Sequence, residues 1–277
     1  MKYSFDPFSV EYEQITSPVA DFKTECIIAA QKAVSLNKDN LPIVVMMSGG
    51  VDSQFVAESL LLANIPFKCV IGRLLSDLVN DITIFNKQDY VYAERWCMAH
   101  EIEIVYCDID IFVNTKLLTE YALSANTSSP QYACHMYIMK WCNDNKFFFL
   151  AGNGEMDIVL HEKQYCMMDE QQEFTSDNFC KLHNLAGVFQ FWKQDSRLIS
   201  AFLKLPTIEL LTKQKTVRLL DQKHRCFSDV FIFENRIKRT GFEFIQEWDS
   251  ILRNHLKKYI VQTDDKFYTP ITYFNPI

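Results

Sequence analysis

The sequence has few of the features that linkers, exported proteins and membrane proteins depend on. Only seven glycines and eight prolines occur among its 277 residues, so we expect no long disordered linker. No apolar run approaches the roughly 18 residues of a membrane helix, and residues 1–7 contain no apolar signal segment. The nine cysteines include no Cys-x-x-Cys pair, and their odd number favours reduced thiols. We therefore expect a globular cytoplasmic protein without a membrane partner.

The chain also lacks the excess positive charge of a general nucleic-acid-binding protein. Its formal net charge is −7 at pH 7, and we expect no nucleic-acid partner. The charge is uneven, because residues 1–200 hold 15 Lys and Arg against 26 Asp and Glu, whereas residues 201–258 hold 12 against 7. That basic segment is either a solvated helical surface or a source of cations for an anion site.

Alternating apolar runs and amphipathic segments predict an α/β fold with a doubly wound, mainly parallel sheet and a helical C-terminal part. Strands are expected at 43–47, 67–72, 102–107 and 146–151, and helices at 19–36, 52–63, 88–100 and 130–143. We interpret residues 1–40 as an N-terminal arm and helix and 41–160 as the α/β core. Residues 161–190, which show no clear period, are interpreted as an insertion over the site, and 191–277 as a helical part that completes it.

The turn after the first strand is the clearest chemical signal in the sequence. Ser48, Gly49 and Gly50 form a tight turn in which two residues without a Cβ let the backbone approach a ligand. Asp52 and Ser53 then open a helix, whose N-terminal amide groups and dipole favour an anion such as phosphate. The loop lacks the lysine of G-x-x-x-x-G-K-[ST] and the three-glycine spacing of the dinucleotide fingerprint. An ordinary Ser/Gly turn is the alternative interpretation.

A second glycine-rich turn follows the apolar run at 146–151 and reads Gly152-Asn153-Gly154-Glu155-Met156-Asp157. Because Mg²⁺ prefers hard oxygen ligands, Asp52 and Asp157 are candidate metal ligands. A simple strand-to-helix turn is again the alternative. Four residues further on could in principle bind zinc, although their spacing matches no common zinc module: His161, Cys166, Cys180 and His183.

Three motifs occur in the order found in one known family. The first is Ser48-Gly49-Gly50-Val51-Asp52-Ser53, the second is Ala151-Gly152-Asn153-Gly154-Glu155-Met156-Asp157, and the third is Lys215-x-x-Arg218 followed by Arg236-x-Lys238-x-x-Gly241-Phe242. Together they resemble the PP-loop (N-type) ATP pyrophosphatases, and among these the synthetase domain of asparagine synthetase and of β-lactam synthetase. The resemblance covers residues 43–242. It implies an adenine nucleotide α-hydrolase-like fold.

The resemblance implies an AMP-forming ligase that uses ATP and Mg²⁺ to adenylate a small-molecule carboxylate and passes the acyl group to an amine. It implies a nucleotide site formed by Met47, Ser48, Gly49, Gly50, Val51, Asp52, Ser53, Ile71, Gly72, Gly152, Gly154 and Arg236. Met47 and Ile71 would contact adenine, and Asp52 and Asp157 would hold Mg²⁺. The expected catalytic residues are Lys238, Asp52 and Glu155, with Lys238 neutralising the charge that develops.

Several departures from the family pattern leave the substrates open. Asn153 stands where the family has a substrate-facing Glu, Met156 is an extra residue before Asp157, and the third motif is one residue longer. No cysteine stands at position 2 and about 40 residues precede the first strand, so we expect no glutaminase domain. Substrate contacts are expected within 72–88, 124–135 and 158–190. A nucleobase- or tRNA-modifying PP-loop enzyme and a catalytically inactive nucleotide-binding module are the alternatives, and the oligomeric state is open.

Overall fold

A computed structural model describes residues 2–5, 8–76, 83–153, 157–214, 223–233, 240–260 and 265–275. The strands are β1 (Lys2–Phe5), β2 (Phe8–Glu11), β3 (Ile43–Met46), β4 (Lys68–Ser76), β5 (Thr83–Ile84), β6 (Ile104–Asp110), β7 (Phe148–Ala151), β8 (Asp157–His161), β9 (Gln164–Glu170), β10 (Gly187–Val188) and β11 (Lys266–Pro270). The helices are α1 (Phe22–Val34), α2 (Val51–Leu62), α3 (Lys87–Ala99), α4 (Thr115–Ser124), α5 (Pro130–Asp144), α6 (Thr175–Leu182), α7 (Ser196–Leu203), α8 (Pro206–Lys213), α9 (Lys223–Phe227) and α10 (Gln246–Leu256). None of the described helices is long and apolar enough to cross a membrane.

The central sheet has five parallel strands in the order β10-β7-β3-β4-β6. The short β5 pairs antiparallel with the end of β4. The chain moves outward from β3 through β4 to β6, and then returns to the other side of β3 with β7 and β10. The direction of winding therefore reverses between β3 and β7, which is where open α/β sheets leave a ligand-binding crevice. The α/β class with a mainly parallel sheet, expected from the sequence, is confirmed.

Helices cover both faces of this sheet. Neighbouring residues of a strand point to opposite faces, and Val44 and Val45 of β3 belong to two different buried clusters. Val45 packs in the cluster that includes residues of α1, α2 and α7. Val44 packs in the cluster that includes residues of α4, α5 and α10. The apolar run of β3 is continuous because both of its faces are buried.

Local signals fix several of the helix ends. Asp21 accepts a hydrogen bond from the Thr24 amide at the start of α1, and Ser129 caps α5, whose first residue is Pro130. These ends agree with the sequence expectations to within a few residues.

Other parts of the fold differ from those expectations. The N-terminal arm contains the β1–β2 hairpin, and α4 lies where no helix was expected. The segment 161–190, which shows no clear period in the sequence, contains β9, which forms a hairpin with β8, and α6, which leads into the sheet strand β10. The mainly helical C-terminal part also contains β11, which pairs with β9. Of these strands, β10 and β11 pair with strands that are distant in the sequence.

An aromatic cluster attaches the C-terminal part to α2. Phe55 of α2 stacks on Trp192 with ring centroids 3.6 Å apart, and on Phe227 at 5.8 Å. The edges of Phe191 and Phe231 complete its surroundings. Because α2 also carries the Ser/Gly turn at its N-terminus, this cluster fixes the turn relative to Trp192 and Phe227.

Replacement of Phe55 by alanine should therefore lower the stability strongly. We expect the free energy of unfolding to fall by about 3–5 kcal/mol, the range for truncation of a buried aromatic residue. Urea unfolding followed by tryptophan fluorescence measures the change. Ile232→Ala is the matched control, since that side chain is 93% exposed, and it should change the stability by less than about 0.5 kcal/mol. Equal effects of the two variants on the free energy of unfolding would contradict the conclusion that the packing of Phe55 stabilises the fold.

Candidate functional site

A cavity of about 310 Å³ opens at the carboxyl ends of β3, β4 and β7. It lies at the reversal of the strand order. Its walls are formed by Met46, Met47, Ser48, Asp52, Ser53, Val70, Gly72, Leu74, Asn86, Asp89, Gln131, Tyr132, Cys134, His135, Ile138, Ala151, Gly152, Asn153, Glu173, Thr240 and Phe242. The floor near Met46 and Val70 is apolar, whereas the mouth carries hydroxyl, amide and carboxylate groups.

The turn after β3 is held in one conformation by its own hydrogen bonds. The Gly50 amide donates to Ser48 Oγ at 3.1 Å, and Ser53 Oγ donates to the Gly50 carbonyl at 2.9 Å. Gly49 has φ +80°, and a Cβ at this position would overlap the Asp89 carbonyl oxygen. Position 49 therefore requires glycine both for its backbone angle and for its contact with α3.

Helix α2 begins at this turn without a side-chain cap. Its N-cap residue is Gly50, which has no side chain to accept hydrogen bonds from the first amide groups. The first N–H groups of a helix have no partner within the helix, and the helix dipole adds partial positive charge there. Ser48, Asp52 and Ser53 line the cavity beside this helix start. The arrangement suits an anion, and phosphate is the common one at such a position.

The loop after β7 packs directly on the first turn of α2. A Cβ built on Gly152 would lie 2.5 Å from the Asp52 carbonyl oxygen and 2.6 Å from the Ser53 amide nitrogen. Only glycine allows these two backbones to approach so closely. The two glycine-rich turns that the sequence singled out therefore meet in space, on the two strands between which the winding reverses.

A segment near the C-terminus closes another side of the cavity. Asn86 donates to the Gly72 carbonyl at 2.8 Å and accepts from the Leu74 amide at 2.9 Å, which ties the start of α3 to the end of β4. Gly241, with φ +88°, packs on the backbone of Asn86. Its neighbours Thr240 and Phe242 line the cavity. Thr240 follows Lys238 by two positions in the sequence.

The structure brings six of the predicted site residues to the cavity wall, namely Met47, Ser48, Asp52, Ser53, Gly72 and Gly152. Gly49, Gly50, Val51 and Ile71 are buried behind this wall. Asp157 is buried at the start of β8 and does not line the cavity. The predicted residues Gly154, Glu155, Arg236 and Lys238 lie outside the described residues, as do Lys215 and Arg218.

The metal hypotheses receive no support from clustering of side chains. Within the described ranges, no group of three or more His, Cys, Asp and Glu residues could hold a metal ion. His161 stacks on Tyr268, and His183 contacts Phe179. The four candidate zinc ligands therefore form no site of their own.

Sequence motifs missed the wall residues of α5. Gln131, His135 and Ile138 follow one another at intervals of four and three residues, so they share one face of that helix. The signal available in the sequence was the occurrence of polar residues on a helix face that is otherwise buried. Each of the segments 72–88, 124–135 and 158–190, where substrate contacts were expected, contributes to the wall.

Glu173 belongs to a buried ion network. Lys193 Nζ lies 2.6 Å from Asp169 Oδ1 and 2.8 Å from Glu173 Oε2, and Tyr12 donates its hydroxyl to Asp169 at 3.0 Å. Burial lowers the pKa of Lys193, but the attraction of the two carboxylates outweighs burial and the net shift is upward. Burial raises the pKa of Glu173, and Lys193 offsets only part of this effect. The lysine therefore stays charged.

Comparison with protein-family models and with curated proteins gave no match for this chain.

The contact between Gly152 and α2 can be tested by adding one methyl group. Gly152→Ala should lower the free energy of unfolding by about 1–3 kcal/mol, because the new Cβ meets backbone atoms that cannot move aside. Gly72→Ala is the matched control in the same cavity, since its Cβ meets the flexible end of Ile138. It should cost about 1 kcal/mol or less. Urea unfolding measures both, and an equal cost would argue against a rigid contact.

The ion network predicts a large effect of removing Lys193, which is its cation within the part of the chain that the structure describes. Lys193→Met leaves two buried carboxylates without their counter-ion, so we expect a loss of about 3–5 kcal/mol in the free energy of unfolding. Lys213→Met removes an exposed pair with Glu209 and should change the stability by less than about 0.5 kcal/mol. Thermal unfolding of both variants at one pH compares them. A Lys193→Met protein as stable as the wild type would show that the network is not buried.

Proposed function

We propose that this chain is an AMP-forming ATP pyrophosphatase of the PP-loop type, which adenylates a carboxylate and passes the acyl group to an amine. The observation that supports this function is the N-terminus of α2, which has no side-chain cap. This helix start lies where the strand order reverses, and its backbone contacts Gly152. A helix start of this kind binds phosphate groups through its backbone. The sequence Ser48-Gly49-Gly50-Val51-Asp52-Ser53 at this position is the motif of that family.

The strand order supports the finer fold assignment in this proposal. Numbered along the chain, the parallel strands β3, β4, β6, β7 and β10 stand in the spatial order third, second, first, fourth, fifth. This is the doubly wound order, with helices on both faces. We propose the adenine nucleotide α-hydrolase-like version of it, as the motifs imply.

The cavity offers separate places for the parts of ATP. The first amide groups of α2 and the Ser48 hydroxyl would bind the pyrophosphate portion, since they line the cavity at the helix start. The apolar floor near Met47 and Gly72 would receive adenine. Ile71 supports that floor from behind, because it is completely buried.

Asp52 is the residue that would hold Mg²⁺. Its position in the first turn of α2, on the cavity wall and beside the proposed phosphate site, suits a hard cation that neutralises phosphate charge when bound. Asp157 as a second ligand stays a prediction, because it is buried in β8 away from the wall.

In the reaction, a carboxylate oxygen attacks the α-phosphorus of ATP while the bond to pyrophosphate breaks. An amine then attacks the acyl carbon, AMP leaves, and the amine loses a proton. The protein contributes mainly position and electrostatic stabilisation. We propose that Lys238 neutralises the charge that develops, and the cavity position of Thr240, two residues later, supports this role. Glu155 as a catalytic residue likewise stays a prediction.

The first experiment is pyrophosphate release from Mg·ATP, with amino acids supplied in pools together with ammonium, and with identification of the nucleotide product. We expect AMP and pyrophosphate with one pool. Asp52→Asn should lower the rate by about 100-fold or more, since the proposed carboxylate ligand of Mg²⁺ is lost and the phosphate charge is neutralised less well. Asp39→Asn, in an exposed loop before β3, should leave the rate unchanged.

Two outcomes would contradict the proposal. Release of ADP in place of AMP would show another class of phosphoryl transfer. ATP binding measured by calorimetry, without turnover in any pool or with bulk tRNA, would favour the inactive nucleotide-binding module.

A further inference from the structure

The buried ion network beside the cavity holds more negative than positive charge. Among the described residues, Lys193 is the cation that pairs with both Asp169 and Glu173, at 2.6 and 2.8 Å. The Tyr12 hydroxyl donates to Asp169, and burial raises the pKa of this phenol well above its ordinary value, so it stays neutral. With both carboxylates ionised, the network has one negative charge in excess.

This excess charge reaches the cavity through Glu173. The side chain of Glu173 is 25% exposed, whereas those of Lys193 and Asp169 are fully buried. Glu173 is also the member of the network that lines the cavity. Its carbonyl accepts from Gln190 Nε2 at 3.0 Å, and Gln190 bridges to Gly152 through the backbone. The carboxylate is therefore fixed beside the end of β7, on the side of β10.

A fixed, mostly buried carboxylate with excess charge favours a cationic ligand. A metal ion would need several further oxygen ligands, and no set of three suitable side chains occurs among the residues that the structure describes. An ammonium group needs only one charge-assisted hydrogen bond from its nitrogen to a carboxylate oxygen. Lys193 pairs with Oε2 of Glu173, and no hydrogen bond from the described residues reaches Oε1, which such a ligand would use.

An amine substrate is mostly protonated in water near neutral pH, so it reaches the site as a cation, and it passes one proton to solvent before its nitrogen attacks the acyl carbon. We infer that Glu173 binds the ammonium form of the amine substrate, with Lys193 and Asp169 holding its carboxylate in place. This inference depends on the proposed function. It places the nucleotide at the start of α2 and the amine at the end of β7, on the two sides of Gly152.

The test separates adenylation from the use of the amine. ATP–pyrophosphate exchange, measured with the active acid pool and no added amine, reports adenylation alone. AMP formation with added ammonium or methylammonium reports amine use. Glu173→Gln should leave exchange within about twofold of wild type and raise the KM for ammonium about 10- to 100-fold. Hydroxylamine, which is uncharged near neutral pH, should serve the variant and the wild type equally well.

Two further variants serve as controls. Glu170→Gln makes the same substitution at a carboxylate that pairs with Lys266 at 2.8 Å and does not line the cavity, so both readouts should stay unchanged. Glu173→Asp keeps the charge on a shorter side chain, and its KM for ammonium should fall between those of wild type and Glu173→Gln. The Glu173→Asp protein also tests the inference if the Glu173→Gln protein does not fold.

The possible failures are distinguishable. Wild-type protein without exchange in any pool would overturn the proposed function and the amine site together. Wild-type exchange combined with an unchanged KM for ammonium in Glu173→Gln and Glu173→Asp would overturn the amine site alone. Loss of exchange in Glu173→Gln, but not in Glu170→Gln, would assign Glu173 to the first step and overturn the inference as well.

Discussion

The backbone contact between Gly152 and the first turn of α2 is the constraint on which the site depends. It joins the loop after β7 to the loop after β3 at the point where the winding reverses, and it leaves no room for a side chain. The helix start is thereby fixed against a second loop, so the amide groups of its first turn keep one direction. A preformed set of donors needs no reorganisation when charge develops on a bound group. The close approach of two backbones thus determines the electrostatics of the cavity.

The C-terminal part of the chain holds this arrangement from two directions. Trp192 and Phe227 stack on Phe55, so the helix whose N-terminus lines the cavity is packed into a large aromatic cluster of the described core. On the other side, Gly241 packs on Asn86, and Asn86 in turn binds the end of β4. The cavity is therefore assembled from segments that are far apart in the sequence, and its shape depends on the fold as a whole.

The difference between contacts that are local in the sequence and contacts between distant segments explains how much of the structure could be predicted from the sequence. β3 and its turn could be predicted, because the apolar run, the Ser-Gly-Gly turn and the helix start lie next to one another. The edge strand β10 has two residues and β11 pairs with a distant strand, so neither has a local period. Glu173 lies within 158–190, where substrate contacts were expected, but it carried no signal of its own, since its network extends through Lys193 to Asp169 and from there to Tyr12, 157 positions away. Asp157 was expected to hold a metal ion together with Asp52, because it belongs to a glycine-rich turn at a strand end, and in the structure it begins β8 and is not among the described residues that line the cavity.

The ion network also raises the question of whether it stabilises the folded protein. Charges that leave water lose solvation, and a buried ion pair is often no more stabilising than apolar residues of the same volume. The cluster around Phe55 shows that this core accommodates large apolar side chains close by, with Phe174 and Trp192 both buried. Stability alone therefore gives little reason for Lys193, Asp169 and Glu173. A cationic ligand at Glu173 does give a reason, because it would balance the excess negative charge when bound and would pair with a carboxylate that the network already holds in place.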